Sequence, residues 1–288
     1  MELALITAQQ VAVLFLLIGT GMVAVKTGVL KLENKQALSN LLVYIIVPAM
    51  VVNSYRMEFS AQILRNLLAA FGMSVLSVLL TARKTGSRMP IFRFACIFSN
   101  AAYMGFPLIS ALFGSEGLLY ASAYVTVFNI LLWTLGYGLV SGGSSVKEVA
   151  RSLVRTPVLY AIVVGLGIYL LQIPLPTLMA GVNTPLSMLI TGMLIAAGDV
   201  RSIVTDKHIW KLASVRMLLI PAATLALFGV LGFHGTAAQV VTLLECCPAA
   251  AITSVFAVQF GHDEHFAAGT LLSIITLPLC ALIITMVM

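Results

Sequence analysis

Charge is what this chain has least of. Charged residues fill 9% of its 288 positions, where a soluble domain carries about a quarter. So few polar heads exclude an ordinary water-soluble fold. The formal net charge of +6 does not point to nucleic acid either, because the basic residues are scattered in short segments between apolar runs and form no basic block. Cysteine is scarce as well: Cys96, Cys246, Cys247 and Cys280 all lie in apolar runs, at spacings that suit neither a disulfide framework nor a zinc site. They read as small buried hydrophobes. The strict alternation of a membrane β-barrel is missing, and so is the basic n-region of a signal peptide, so the first apolar run is expected to stay as a spanning helix. No Ser/His/Asp or Cys/His arrangement is present, and the four histidines lie at the edges of apolar runs. An enzyme is therefore not expected.

What is present is apolar length. Hydrophobic residues make up 60% of the chain and its mean hydropathy is +1.07. Windows of about 20 apolar residues, the length that crosses a bilayer, predict ten spans near 5–25, 36–54, 63–82, 92–113, 117–140, 157–174, 183–200, 211–232, 237–260 and 266–287. The expected class is an all-α polytopic membrane protein surrounded by lipid. Alternate loops and span ends carry Lys26, Lys31 and Lys35; then Arg83, Lys84, Arg88 and Arg93; then Lys147, Arg151 and Arg155; then Arg201, Lys207, Lys211 and Arg216. Only Arg56 and Arg65 fall on the other side. The positive-inside rule places both termini outside the cytoplasm, in agreement with an even number of spans, which puts them on one side.

Two spans are interrupted. In Cys96 to Leu108, Pro107 lacks an N–H and crowds the carbonyl four residues back, and Gly105 loosens the backbone beside it, so the helix is expected to break there. Leu244 to Ala251, with Cys247-Pro248, interrupts the ninth span. Broken backbone at membrane depth is tolerated where protein or a water-filled cavity satisfies it, and pairs of broken helices mark secondary transporters. Residues 1–140 and 157–288 read as two five-helix repeats, the odd number making the second inverted, joined by a Gly/Ser-rich cytoplasmic linker at 141–156. Setting Phe113-Gly114-Ser-Glu116 over Phe260-Gly261-His-Asp263 brings Asn100 over Cys247 and Ala101 over Pro248. A looser match sets Pro48 over Gly192 as breakers of the second span of each half. An anion channel or a ligand-binding membrane receptor is the alternative to a carrier; a repeated pore-loop motif, which a channel calls for, is missing.

The half-helices expected to start at Pro107 and Pro248 present unpaired N–H groups and positive dipole ends, which suit a carboxylate. Asn100, seven residues before Pro107, can donate to such a ligand or hold the broken backbone. Together with Gly105, Pro107, Tyr103, Cys247, Pro248 and Ala249 it forms the expected substrate site. Glu245 lies within the ninth span, where a carboxylate must be protonated, paired or bound to a cation. Its plainer role is structural, as a partner of Arg216. Gly19-Thr-Gly21 is a close-packing feature, and His262-Asp-Glu-His265 fills a short turn where Asp263 caps the last helix.

The run Ser99-Asn100-Ala-Ala-Tyr-Met-Gly105-Phe-Pro107-Leu108 resembles the fourth-helix signature of the auxin efflux carrier family, with Ala102 where that family usually has glycine. Cys247-Pro248, Phe260-Gly261-His-Asp263 and Thr270 to Pro278 resemble its last two helices, and the short linker resembles that of bacterial members. The resemblance implies a fold like that of bile acid/sodium symporters. Helices 1, 2, 6 and 7 would form a scaffold, helices 3–5 and 8–10 a transport domain, and broken helices 4 and 9 would cross. It implies a homodimer in the bacterial inner membrane that carries small organic anions, mono- or dicarboxylates or auxin-like acids, by an elevator-type movement. Cys246-Cys247 stands where plant carriers use an asparagine, which argues against auxin itself. By the same resemblance Glu245, Ser99, Asn100, Ser122 and Thr126 would gather around a coupling Na⁺, with H⁺ on Glu245 as the other possibility. Sodium is the only metal so implied, and no other cofactor is.

Overall fold

The computed structural model describes residues 2–84, 89–142, 147, 150–151, 154–174, 176, 182–197 and 205–270. Among the described residues all regular structure is helical, and the only extended pairing is an isolated antiparallel bridge between Ser99 and Ala249. The helices are α1 (Glu2–Lys26), α2 (Leu32–Ser54), α3 (Ala61–Lys84), α4 (Pro90–Ile97), α5 (101–113), α6 (115–141), α7 (Pro157–Leu171), α8 (Asn183–Ala196), α9 (Lys207–Leu231), α10 (Thr236–Glu245), α11 (Ile252–Phe260) and α12 (Glu264–Gly269). Four stretches, Leu32–Ser54, Ala61–Arg83, Ala101–Ser141 and Lys207–Leu231, are long and apolar enough to cross a membrane. The expected last span begins with α12, and nearly all of it, including Cys280 and the run from 271 to 278, lies outside the described residues, as does most of the 141–156 linker.

Proline does not end these helices. Pro48, Pro107 and Pro221 each follow a five-residue π turn, at Leu42–Ile46, Ala101–Gly105 and Val215–Leu219. In each case the residue before the proline donates its N–H five residues back: Val47 to Leu42, Phe106 to Ala101 and Ile220 to Val215. A regular α-turn would press the ring onto the carbonyl at i−4. The wider turn takes that carbonyl aside, and the helix runs on. The fourth span therefore breaks earlier than expected, at Phe98 to Asn100, where Phe98 is extended (φ −103°, ψ 112°). The half-helix starts at Ala101, with Pro107 already inside it. Pro248 likewise lies in the gap before α11 and does not start it.

Glycine sets two features. Gly114 (φ 57°) turns the chain between α5 and α6, and Gly261 (φ 65°) ends α11; both take left-handed backbone that L side chains resist. Gly21 and Gly192 let α1 and α8 touch backbone to backbone. A Cβ on Gly192 would strike the Ile18 carbonyl, and one on Gly21 the Leu189 carbonyl. Gly192 is thus a close-contact position inside a continuous helix and not a breaker. Gly19 faces open space, so of the expected packing pair only Gly21 packs.

The half of α2 beyond its π turn packs on α7, α3 packs on the Phe106–Leu131 stretch, and α10 lies against both of these and α9. Four tyrosines are buried to less than 2% exposure, and each finds a polar partner as buried hydroxyls must. Tyr169 accepts from the Ser60 N–H and donates to the Ser60 carbonyl. Tyr55 pairs with Ser122, Tyr120 with Glu116 and Asn66, and Tyr124 with Ser99 and Glu245.

Candidate functional site

The two interrupted segments cross. The Asn100 N–H donates to the Pro248 carbonyl (2.8 Å) and the Ala250 N–H to the Phe98 carbonyl (2.8 Å). Two residues of each segment thereby satisfy one another on either side of the bridge between Ser99 and Ala249. The bridge joins residues about 150 positions apart, and it explains why the fourth span breaks at Phe98 to Asn100, where no local breaker stands.

One side of the crossing opens on a cavity of about 520 Å³, within the range of small-molecule sites. Asn100, Tyr103, Asn129 and Ser254 line it, together with the first residues of both second half-helices, Ala101 and Ala102 on one and Ala251 and Ile252 on the other. The first bond within α5 is Met104 N–H to the Asn100 carbonyl (3.0 Å), so helix geometry leaves the N–H groups of 101–103 without helical acceptors. Asn100 is 3% exposed and its amide nitrogen has no partner; Ser254 Oγ is also buried without one. Lys35 is the one charged residue among the described lining residues. Two positive helix ends, two unpartnered donors and one cation, with no acid beside them, favour a small anion.

The rest of the expected substrate set lies behind this wall. Gly105 sits beneath Leu244, and Pro107, Cys247 and Ala249 are buried without lining the cavity. The Pro248 carbonyl is taken by Asn100. Phe106 is fully buried and does not line the cavity.

Behind the crossing is a second, closed cluster. Glu245 ends α10 and is fully buried. Its Oε2 lies 3.2 Å from Arg216 Nη1, and its Oε1 accepts from the Tyr124 hydroxyl at 3.1 Å, which in turn pairs with Ser99 Oγ at 2.9 Å. Arg216 also donates Nη1 to the Cys96 carbonyl (2.6 Å) and Nε to the Cys247 carbonyl (3.1 Å). The Cys96 carbonyl belongs to the last turn of α4 and that of Cys247 to the gap just past α10, where carbonyls need donors once the helices stop. Of the residues expected around an ion, Glu245 and Ser99 meet through Tyr124. The Ser122 hydroxyl goes to Tyr55 and the Leu119 carbonyl, and that of Thr126 to the Ser122 carbonyl.

Two lining residues, Ser254 and Lys35, escaped the sequence as members of the site. Arg216, expected both in the basic belt at a span end and as the plainer partner of Glu245, sits inside α9 with no exposure and takes the second of these places. Its position amid Leu212, Met217, Leu218 and Leu219 was the available clue. Ser254 falls in the first turn of α11, the place that Ala102 and Tyr103 hold in α5. The sequence marks Lys35 only as a topology charge. Away from the site, Asp263 Oδ1 accepts from the Phe266 N–H (2.8 Å), capping α12. His262 Nε2 lies 2.8 Å from the Val140 carbonyl.

Comparison with known proteins places the chain among membrane transporters. The chain is 26% identical over 300 residues to an uncharacterized transporter of Methanothermobacter thermautotrophicus, a match covering 96% of this chain and 97% of the relative. A family model described as membrane transport protein matches residues 6–149 and 143–288. With both halves matched, and with the motif around Asn100 and Pro107 in place, the chain belongs to the membrane transport protein family, the auxin efflux carriers.

Proposed function

We propose that the protein is a secondary active transporter of small organic anions, mono- or dicarboxylates or auxin-like acids, which binds its substrate where the fourth and ninth spans cross. The observation that carries this reading is the shared cavity: the unpartnered Asn100 amide and two half-helix N-termini face one space in which Lys35 is the only charged residue among the described lining residues. A carboxylate would accept from Asn100 and Ser254 and rest against the N–H groups of 101–103.

In this reading the ten spans form two inverted five-helix repeats, with Gly114 and Gly261 as equivalent corners. The scaffold of the first, second, sixth and seventh spans, α1, α2, α7 and α8, stands still in the inner membrane as part of a homodimer. The other spans carry the crossing past it in an elevator-type movement. The cavity is bounded by α2 and the start of α7 on one side and by the crossing on the other, as such a movement requires. It lies next to Lys35 and Thr156, at the ends of the helices that the charge bias assigns to the cytoplasm.

Counterflow in proteoliposomes tests this. Vesicles preloaded with a carboxylate should accelerate uptake of the labelled compound, which requires alternating access. A channel gives no such acceleration, and a receptor gives no uptake. If no member of a broad panel of mono- and dicarboxylates exchanges, the carrier reading for organic anions is wrong.

A further inference from the structure

Arg216 is the largest fully buried side chain among the described residues, and it does not line the cavity. Its guanidinium meets Glu245 Oε2 at 3.2 Å and the Cys96 carbonyl at 2.6 Å through Nη1, and the Cys247 carbonyl at 3.1 Å through Nε, while Nη2 is buried without a hydrogen-bond partner. The Cys96 carbonyl lies in the last turn of α4, at its negative pole, and the Cys247 carbonyl lies two residues past the end of α10. A carboxylate and two backbone carbonyls converging on one point make a hard-oxygen site of the sort that holds a small cation. Here the cation is covalently attached. The pair is already neutral, and a further positive ion in this enclosed apolar setting would carry the full cost of an unpaired buried charge. The Ser122 and Thr126 hydroxyls, which would have to complete an oxygen cage, bond to Tyr55 and to the Leu119 and Ser122 carbonyls, and no bond ties either of them to this cluster.

We propose that Arg216 is the resident cation of the crossing: its guanidinium holds the place that a free monovalent cation would need beside Glu245, so the protein binds no Na⁺ there, and removing the guanidinium uncovers a site for one. Arg216 is in this sense a positioning residue, tying α4, α10 and α9 together. Only the functional consequence, turnover that is indifferent to Na⁺, rests on the transport reading; the binding claim does not.

The test is thermal unfolding of the purified full-length protein at fixed ionic strength in Na⁺, K⁺ or choline, with or without low-millimolar guanidinium. The natural protein should show the same Tm in Na⁺ and choline. Arg216→Ala should unfold at lower temperature and be raised by a few degrees by Na⁺ or guanidinium, and adding Glu245→Gln should abolish that rise. A Na⁺-specific stabilisation of the natural protein that Glu245→Gln removes overturns the proposal, and so does a folded Arg216→Ala indifferent to every small cation. Should Arg216→Ala fail to fold, Arg216→Lys serves: with an ammonium in place it should ignore Na⁺, and stabilisation by Na⁺ would overturn the idea. Counterflow in Na⁺ and choline then reads the consequence. Equal rates are expected; faster exchange in Na⁺ counts against the proposal. Absence of exchange in both buffers sinks the carrier reading and leaves the Tm result standing.

Discussion

Tyr55 Oη and Ser122 Oγ lie 2.8 Å apart, both buried, and link the C-terminal end of α2 to α6. In the proposed movement α6 travels relative to α2, so this bond breaks in every cycle. Tyr55→Phe keeps the ring against Gly165 and removes about 1 kcal/mol of stabilisation from the described state. Asn40→Cys, which lines the cavity, should then be labelled more slowly by an impermeant thiol reagent applied from the cavity side. Unchanged labelling would mean that the bond does not hold this state.

Asn100 is the donor most directly aimed at a ligand. A hydrogen bond to a charged group contributes about 1.5–3 kcal/mol, so Asn100→Ala should raise the KM for counterflow by about ten- to a hundredfold. Asn100→Asp should do worse, because it sets a negative charge among the donors. Folded Asn100→Ala with unchanged affinity would leave the side chain with only its packing role.

Breaking a buried ion pair by removing one partner costs about 3–5 kcal/mol, while replacing both is often tolerated. Glu245→Gln should therefore lower Tm more than Glu245→Gln combined with Arg216→Met. If the double variant is the less stable, Arg216 gains most of its stabilisation from the Cys96 and Cys247 carbonyls, and Glu245 is secondary.

The contact between α1 and α8 can be probed with a matched pair. Gly192→Ala forces a methyl against the Ile18 carbonyl, an overpacking that costs about 1–3 kcal/mol. Gly19→Ala meets open space and should be neutral or stabilise by about 0.5–1 kcal/mol, since alanine favours helix. Equal Tm values for the two variants would refute the close approach.

Much of the helical framework is legible in the sequence because the bilayer forces apolar runs of fixed length. Helix boundaries such as Lys26, Ser54, Pro157 and Leu231 fall within a few residues of the ends of those runs. The position of the break was not legible. Proline is the local rule for stopping a helix, yet Pro107 is absorbed by a π turn, while Phe98 to Asn100 leave the helix because Pro248 and Ala250 pair with them. That cause lies about 150 residues away and leaves no local mark. The pairing of Arg216 with Glu245 was legible as the plainer role of that carboxylate, but its other acceptors, the Cys96 and Cys247 carbonyls, were not, because they are open to it only where two helices stop. Asn100 and Glu245 were visible because uncompensated polar groups in apolar runs demand an explanation, but the way they divide, one to the cavity and one to the ion pair, depends on the crossing.

The π turn at Ala101–Gly105 has one more consequence. Consecutive residues of an α-helix are offset by about 100°, so rewinding this turn as regular helix would rotate Asn100 by about that angle relative to the rest of α5. Pro107 forbids the rewinding, because its ring would then meet the Tyr103 carbonyl. The proline thus acts as a rotational stop, and it is what keeps the Asn100 amide turned toward the cavity.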